Sequence, residues 1–330
     1  MAKRRKKELH KTTILDRIEE IKKIDKSGML THCLKTAEYS KGIIPRAEKI
    51  EIPKKVKIGK RIIEYKKPQN IVIAGMGGSA IGGEILKNWL RDEIPIPIEV
   101  CNEYALPAYA SQDTLVFVVS YSGETEETLC ALVDAMRRKC MTIAVTSGGH
   151  LLAFAKKLQI PYVMIPAGLP PRGALPYLFF PLPILMEKMN ALKDKKSEIE
   201  EAVNVIKTVS EENSPKIPTE NNVSKKLALQ LKDSVPVIYG FRQYGAVAHR
   251  LKAQFNENSK VPSRYEVFPE LNHNETMGWE ATEDLTKIFS VLLIRDHNEP
   301  DEIKNRIDAT KSIALQKAAR VIEIHAKGKG

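Results

Sequence analysis

The 330-residue chain predicts an α/β fold built from two doubly wound parallel sheets, each covered by helices on both faces as a three-layer αβα unit. Three observations predict it. Short apolar runs alternate with segments of helical periodicity from residue 71 onward. Two of the runs end in loops rich in glycine and hydroxyls, Gly75-Met76-Gly77-Gly78-Ser79 and Ser120-Tyr121-Ser122-Gly123-Glu124-Thr125. After a polar stretch the alternation restarts at Pro236 in a similar element order, which points to a second, smaller unit and a distant internal duplication.

Taken in order, residues 12–41 read as helical, with Ile14, Leu15, Ile18, Ile21 and Ile24 at helical spacing. An irregular stretch is expected from there to the first firm strand, Ile71 to Ala74. The first Gly-rich loop then opens a helix, Ile81 to Leu90, followed by strands near Ile98 to Cys101 and at Thr114 to Val119. The second loop opens a helix with Leu129, Leu132, Val133 and Met136 on its apolar side. Next come a strand, Met141 to Val145, ending in Thr146-Ser147-Gly148-Gly149, a helix, and the strand Tyr162 to Ile165. Residues 187–234 are polar and helical, broken at Pro215 and Pro218. The second set is Pro236 to Tyr239, the helix Gly245 to Phe255, then Arg264 to Phe268, Ile288 to Ile294 and Arg320 to His325. The expected division is a tail and helix over 1–45, a first domain over 46–190, a helical connection over 191–234 and a second domain over 235–330.

Lys and Arg number 52 against 41 Asp and Glu, a net charge of +11. Part of the excess sits in the first eleven residues, and the rest is interspersed with acids. A solvated tail and a field that attracts anionic substrates account for this, and no zinc-finger spacing or RNP-type aromatic run supports nucleic acid as a partner. The longest apolar stretches, such as Leu175 to Met186, are interrupted by prolines and too short for a bilayer core of about 30 Å, so no membrane partner is expected. No secretory h-region is visible, and the expected location is cytoplasmic. Cys33, Cys101, Cys130 and Cys140 form no CxxC pair or metal-type spacing, so free, mostly buried thiols and no metal site are expected.

The two loops carry the chemistry. Each follows a buried strand and leads into a helix, so each offers unpaired backbone N–H groups and hydroxyls at a helix N-terminus, where an anion is favoured. Two such loops about 40 residues apart, at the carboxyl ends of successive strands, suggest one phosphate held from two sides. The first resembles a loose dinucleotide fingerprint, but no acidic residue convincingly ends a second strand at the ribose-binding offset, and no Gly-Lys-Ser/Thr completes a P-loop. Helix capping needs one hydroxyl; Ser120, Ser122 and Thr125 supply three within six residues. In the second unit, Glu257 ends an apolar helix, where a carboxylate works against the dipole and is tolerated when it acts as a base. His273 follows a strand directly, and Arg172, between apolar segments, either pins a loop or sets its fork on a developing oxyanion.

GMGGSAIGG, SYSGETEET, PRGALPY, QFNENSK and ELNHNE in this order resemble the archaeal-type bifunctional phosphoglucose/phosphomannose isomerases, from about Ile71 to the end of the chain. The resemblance implies two sugar isomerase (SIS) domains and interconversion of glucose 6-phosphate, and of mannose 6-phosphate, with fructose 6-phosphate through a cis-enediolate. It implies phosphate contacts at Gly77, Gly78, Ser79, Ser120, Ser122 and Thr125, a base at Glu257, a ring-opening histidine at His273 and an enediolate-stabilising arginine at Arg172. It further implies a homodimer in which the histidine comes from the neighbouring subunit, and neither metal nor redox cofactor. Family members continue past the last strand with a helical segment carrying a lysine that assists ring opening. This chain stops at His325-Ala326-Lys327-Gly328-Lys329-Gly330, so the second domain is expected to be incomplete. The alternatives are a sugar-phosphate-binding regulator that keeps the loops without turnover, and an amino-sugar-phosphate deaminase or isomerase.

Overall fold

The structure is a computed structural model describing residues 13–329; the basic run within the first eleven residues lies outside the described residues. The N-terminal periodicity resolves into α1 (Ile18–Ile24), α2 (Met29–Leu34) and α3 (Thr36–Glu48) rather than one helix. The break has a local cause. Both carboxylate oxygens of Asp25 accept backbone N–H groups, from Met29 and Leu30, each at 2.8 Å, and Gly28 turns the chain at φ +65°. The stretch expected to be irregular contains an antiparallel hairpin, β1 (Lys55–Ile58) and β2 (Arg61–Glu64), turning at Gly59 with φ +60°. Its alternation buries Val56 and Ile63 and leaves the lysines outside.

The first large sheet is assembled from β3 (Asn70–Ala74), α4 (Ile81–Trp89), β4 (Ile98–Cys101), β5 (Thr114–Ser120), α5 (Glu126–Arg137), β6 (Met141–Thr146), α6 (Gly149–Leu158) and β7 (Tyr162–Met164). Its five strands are parallel in the order β4-β3-β5-β6-β7. Every residue of β5 and β6 is buried, as a strand covered on both faces requires, and this is why those runs read as continuous rather than alternating apolar sequence. The helices α7 (Leu175–Phe179), α8 (Pro181–Lys188), α9 (Lys196–Glu212) and α10 (Val223–Leu231) follow, with α3 packed against α8 and α9.

The second sheet comprises β8 (Val235–Phe241), α11 (Tyr244–Gln254), β9 (Arg264–Phe268), α12 (Glu275–Gly278), α13 (Glu283–Thr286), β10 (Phe289–Arg295), α14 (Asp301–Ile313) and β11 (Arg320–His325). Its parallel order, β11-β10-β8-β9, repeats the order of the first four strands of the larger sheet. That agreement is the structural counterpart of the repeated element order in the sequence. The two units meet where α4 packs on α11. There the His249 Nδ1 lies 2.6 Å from Glu84 Oε2, and its ring stacks on Tyr265 with centroids 4.7 Å apart. All four cysteines are free, but only Cys101 and Cys140 are buried; Cys33 and Cys130 are exposed, which corrects the expectation that most would be inside.

Candidate active site

In an open parallel sheet, ligands bind beyond the carboxyl ends of the strands where the strand order reverses. In the first sheet that point lies between β3 and β5, because β3 connects outward to β4 while β5 connects the other way to β6. The two Gly- and hydroxyl-rich loops leave the carboxyl ends of these two strands. The fold thus brings both loops to one crevice, and a direct contact ties them: the Tyr121 N–H donates to the buried Ser79 Oγ at 3.2 Å.

The second loop is internally braced. Ser120 is fully buried; its Oγ accepts the Gly123 N–H at 3.0 Å and lies 2.9 Å from the Thr125 hydroxyl. Ser122 is exposed, and its Oγ accepts the Glu124 N–H at 3.1 Å. Thr125 holds the N-cap position of α5 but makes no side-chain cap bond. Capping therefore does not explain these hydroxyls, and the first turn of α5 keeps backbone donors uncovered by any cap side chain. Glu124, an odd residue for an anion loop, is drawn to the next helix: its carboxylate accepts the His150 N–H at 2.9 Å and lies 2.5 Å from His150 Nδ1. That partner holds its pKa below the usual carboxylate value.

Arg172 joins the same cluster. It sits in a short 3-10 turn, Pro171–Gly173, and a Cβ placed on Gly78 would come within 3.1 Å of the Pro171 carbonyl oxygen, so the absence of a side chain lets the two turns touch. From the second unit, α11 continues into one π-helical turn, Phe255–Ser259, which carries Glu257 and Asn258. The Arg172 Nε donates to Asn258 Oδ1 at 2.6 Å. Glu257, half-buried, ends the helix as expected, and the carbonyl at this end is satisfied by Lys260 Nζ at 2.7 Å. Burial lowers the pKa of Arg250 on α11, and the nearby Glu257 carboxylate opposes that shift.

His273 makes no hydrogen bond to this cluster among the described residues. It ends a 3-10 turn, Glu270–His273, after β9, and is exposed. The sequence reading assigned nothing to Arg250 and Asn258 individually, although both lie in or beside the QFNENSK motif. Their role rests on contacts across the two units that no spacing encodes. No group of three or more His, Cys, Asp or Glu among the described residues could hold a metal ion.

Where β5 ends in Ser120, the matching strand β10 ends in Arg295, whose guanidinium is saturated by carboxylates: Glu299 at 2.6 Å, Glu323 at 2.9 Å and Asp308 at 3.0 Å. Its charge is consumed internally.

Residues 64–169 match the SIS domain, and residues 220–330 match the bacterial phospho-glucose isomerase C-terminal SIS domain. The chain is 40% identical over 282 residues to a bifunctional phosphoglucose/phosphomannose isomerase of Caldicellulosiruptor bescii, covering 84% of this chain and 83% of that protein. It is 35% identical to the enzyme of the same description from Aquifex aeolicus, covering 83% and 80%. A hypothetical protein of Thermus thermophilus superposes with a TM-score of 0.67 over 94% of this chain and 82% of that one, at 16% identity, which speaks to the fold alone. The chain belongs to the bifunctional phosphoglucose/phosphomannose isomerase family, with two SIS domains.

Proposed function

We propose that this chain interconverts glucose 6-phosphate, and mannose 6-phosphate, with fructose 6-phosphate through a cis-enediolate. The observation that carries the reading is the joining of both anion loops, through Ser79 and Tyr121, to the turn that holds Arg172, itself bonded to the residue after Glu257. Gly77, Gly78, Ser79, Ser120, Ser122 and Thr125 hold the phosphate; an N-terminal helix end suits it because donors and dipole both favour negative charge. His273 from the neighbouring subunit of a cytoplasmic homodimer assists ring opening, moving a proton from the anomeric hydroxyl to the ring oxygen. The Glu257 carboxylate then takes the proton from C2, the C1–C2 double bond forms, and the C1 carbonyl becomes an enediolate oxygen whose charge Arg172 offsets. After a proton moves between the two oxygens, Glu257 returns its proton to C1 and C2 becomes the carbonyl. Oxidation at C2 balances reduction at C1, so the reaction calls for no external redox partner. The reading places residues 46–190 and 235–330 as the two domains, with the reacting carbons at their seam.

The test is formation of fructose 6-phosphate from each aldose with chelator present, on the wild type and on Glu257→Gln. The variant is expected to lose turnover by about 100-fold or more, in the range of a general base, while still binding fructose 6-phosphate in calorimetry. Retained turnover would sink the assignment of the base. A wild type that binds the sugar phosphate without turnover would instead support the regulator.

A further inference from the structure

Arg172 is held from the second unit at two points. Its guanidinium Nε donates to Asn258 Oδ1 at 2.6 Å, and its backbone carbonyl accepts from the Nη2 of Arg250. In the 3-10 turn the partner of this carbonyl would be the N–H three residues on, at Leu175, and that backbone bond is not made; the Arg250 side chain of the other unit fills the acceptor instead. Around the turn, the Gly-Gly-Ser loop abuts Pro171 on one side, and Met29 and His32 of α2 lie within 3.3–3.4 Å of a Cβ placed on Gly173.

The link from Arg250 to Asn258 runs through Gln254, and it is one acceptor short. The Gln254 side-chain amide has one end 2.9 Å from Asn258 Nδ2 and the other 2.9 Å from the Arg250 guanidinium. Turning Gln254 to accept from Arg250 sets its nitrogen against that of Asn258. Turning Asn258 as well sets a nitrogen against Arg172 Nε, because guanidinium donors stand at both ends of the run.

We propose that Arg250 and Asn258 are positioning residues that hold the Arg172 guanidinium where charge develops on the enediolate, so that the second unit aims a group carried by the first. The inference rests on the isomerase reading and on the role given there to Arg172. Phosphate binding belongs to the loops of the first unit, so loss of either residue is felt in turnover rather than in ground-state binding.

The experiment is a kinetic cycle with glucose 6-phosphate: wild type, Arg250→Met, Asn258→Ala, Arg172→Ala, and each of the first two combined with Arg172→Ala. Arg250→Met and Asn258→Ala are expected to lower kcat about 10- to 100-fold with KM within about twofold, and to cost less than about twofold further once Arg172 is alanine. Arg250→Lys, which keeps the charge but loses the fork, should recover only part of the loss. Losses that multiply across the cycle, or a raised KM with unchanged kcat, would overturn the inference. Asn258 is exposed, so its variant keeps the test valid if Arg250→Met fails to fold. An Arg172→Ala enzyme with wild-type kcat would overturn the role of Arg172 itself and the positioning role with it. That outcome is distinct from one in which Arg172→Ala is slow and Asn258→Ala is not.

Discussion

Gly123 is the position at which the Ser120–Thr125 loop is least able to change. It has φ +73°, and a Cβ built on it would stand 2.0 Å from the Gly148 carbonyl oxygen, 2.8 Å from the Gly148 carbonyl carbon and 2.9 Å from Thr146 Oγ1. Carbon–oxygen contacts are tolerated at about 3.3 Å and beyond, so Gly123→Ala must open the approach of the two loops by more than about 1 Å. The left-handed conformation itself costs about 1–2 kcal/mol for a residue with a Cβ, and overpacking a well-filled site adds about 1–3 kcal/mol. A destabilisation of about 2–5 kcal/mol lowers Tm by roughly 3–7 °C for a protein of this size. The function suffers separately: Gly123 donates to Ser120 Oγ, and a shift of about 1 Å in such a loop costs about 100-fold in kcat/KM. Gly148→Ala is the matched control, because a Cβ there meets nothing within 4 Å and its φ of 167° is extended backbone. Thermal unfolding followed by circular dichroism, with kcat/KM on glucose 6-phosphate, reads both effects. Equal Tm and equal kcat/KM for Gly123→Ala and Gly148→Ala would refute the reasoning.

Ser79→Ala removes the hydroxyl that joins the two loops and strands the buried Tyr121 N–H; a loss of about 1–3 kcal/mol in urea unfolding is expected, with a raised KM, and an unchanged midpoint would mean the tie carries no weight. Mixing Glu257→Gln and His273→Ala subunits should restore turnover, since a hybrid with sites shared between subunits has one site with both native groups; two inactive proteins that stay inactive after subunit exchange would argue against a histidine from the neighbour. Asp16 bonds Lys225 Nζ at 3.0 Å and the Thr219 N–H and hydroxyl at 2.9 Å, and the Lys225 ammonium leads in holding its pKa at about 2. Because the folded value lies below the unfolded one, this stabilisation is fully present above the ordinary carboxylate pKa of 3.8 and is lost as pH falls toward about 2. Asp16→Asn should therefore be less stable than wild type at pH 7 and approach it near pH 2; a gap that does not narrow would locate the effect elsewhere.

The sequence was legible wherever structure is encoded locally. The strands β5 and β6 and both anion loops are short-range patterns: apolar runs that must be buried, glycines that permit close approach, hydroxyls at a helix start. The hairpin β1–β2 was equally local, in the alternation around Gly59, and went unread because the lysines masked its two buried positions. The break between α1 and α2 depended on Asp25 turning back to cap the next helix, which periodicity alone does not register.

By itself, then, the sequence determined the class of fold, the repeated element order, the two Gly- and hydroxyl-rich loops and the family, since each rests on neighbours in the chain or on motifs in order. Only the tertiary structure decided that the two loops share one crevice, which follows from the strand order at β3 and β5. Only it showed that Arg172 is held by Arg250 and Asn258, about 80 residues away along the chain. The physical reason is the same in each case. A helix or turn is chosen by hydrogen bonds a few residues long. The placement of a guanidinium depends on which distant side chains meet it and the turn that carries it.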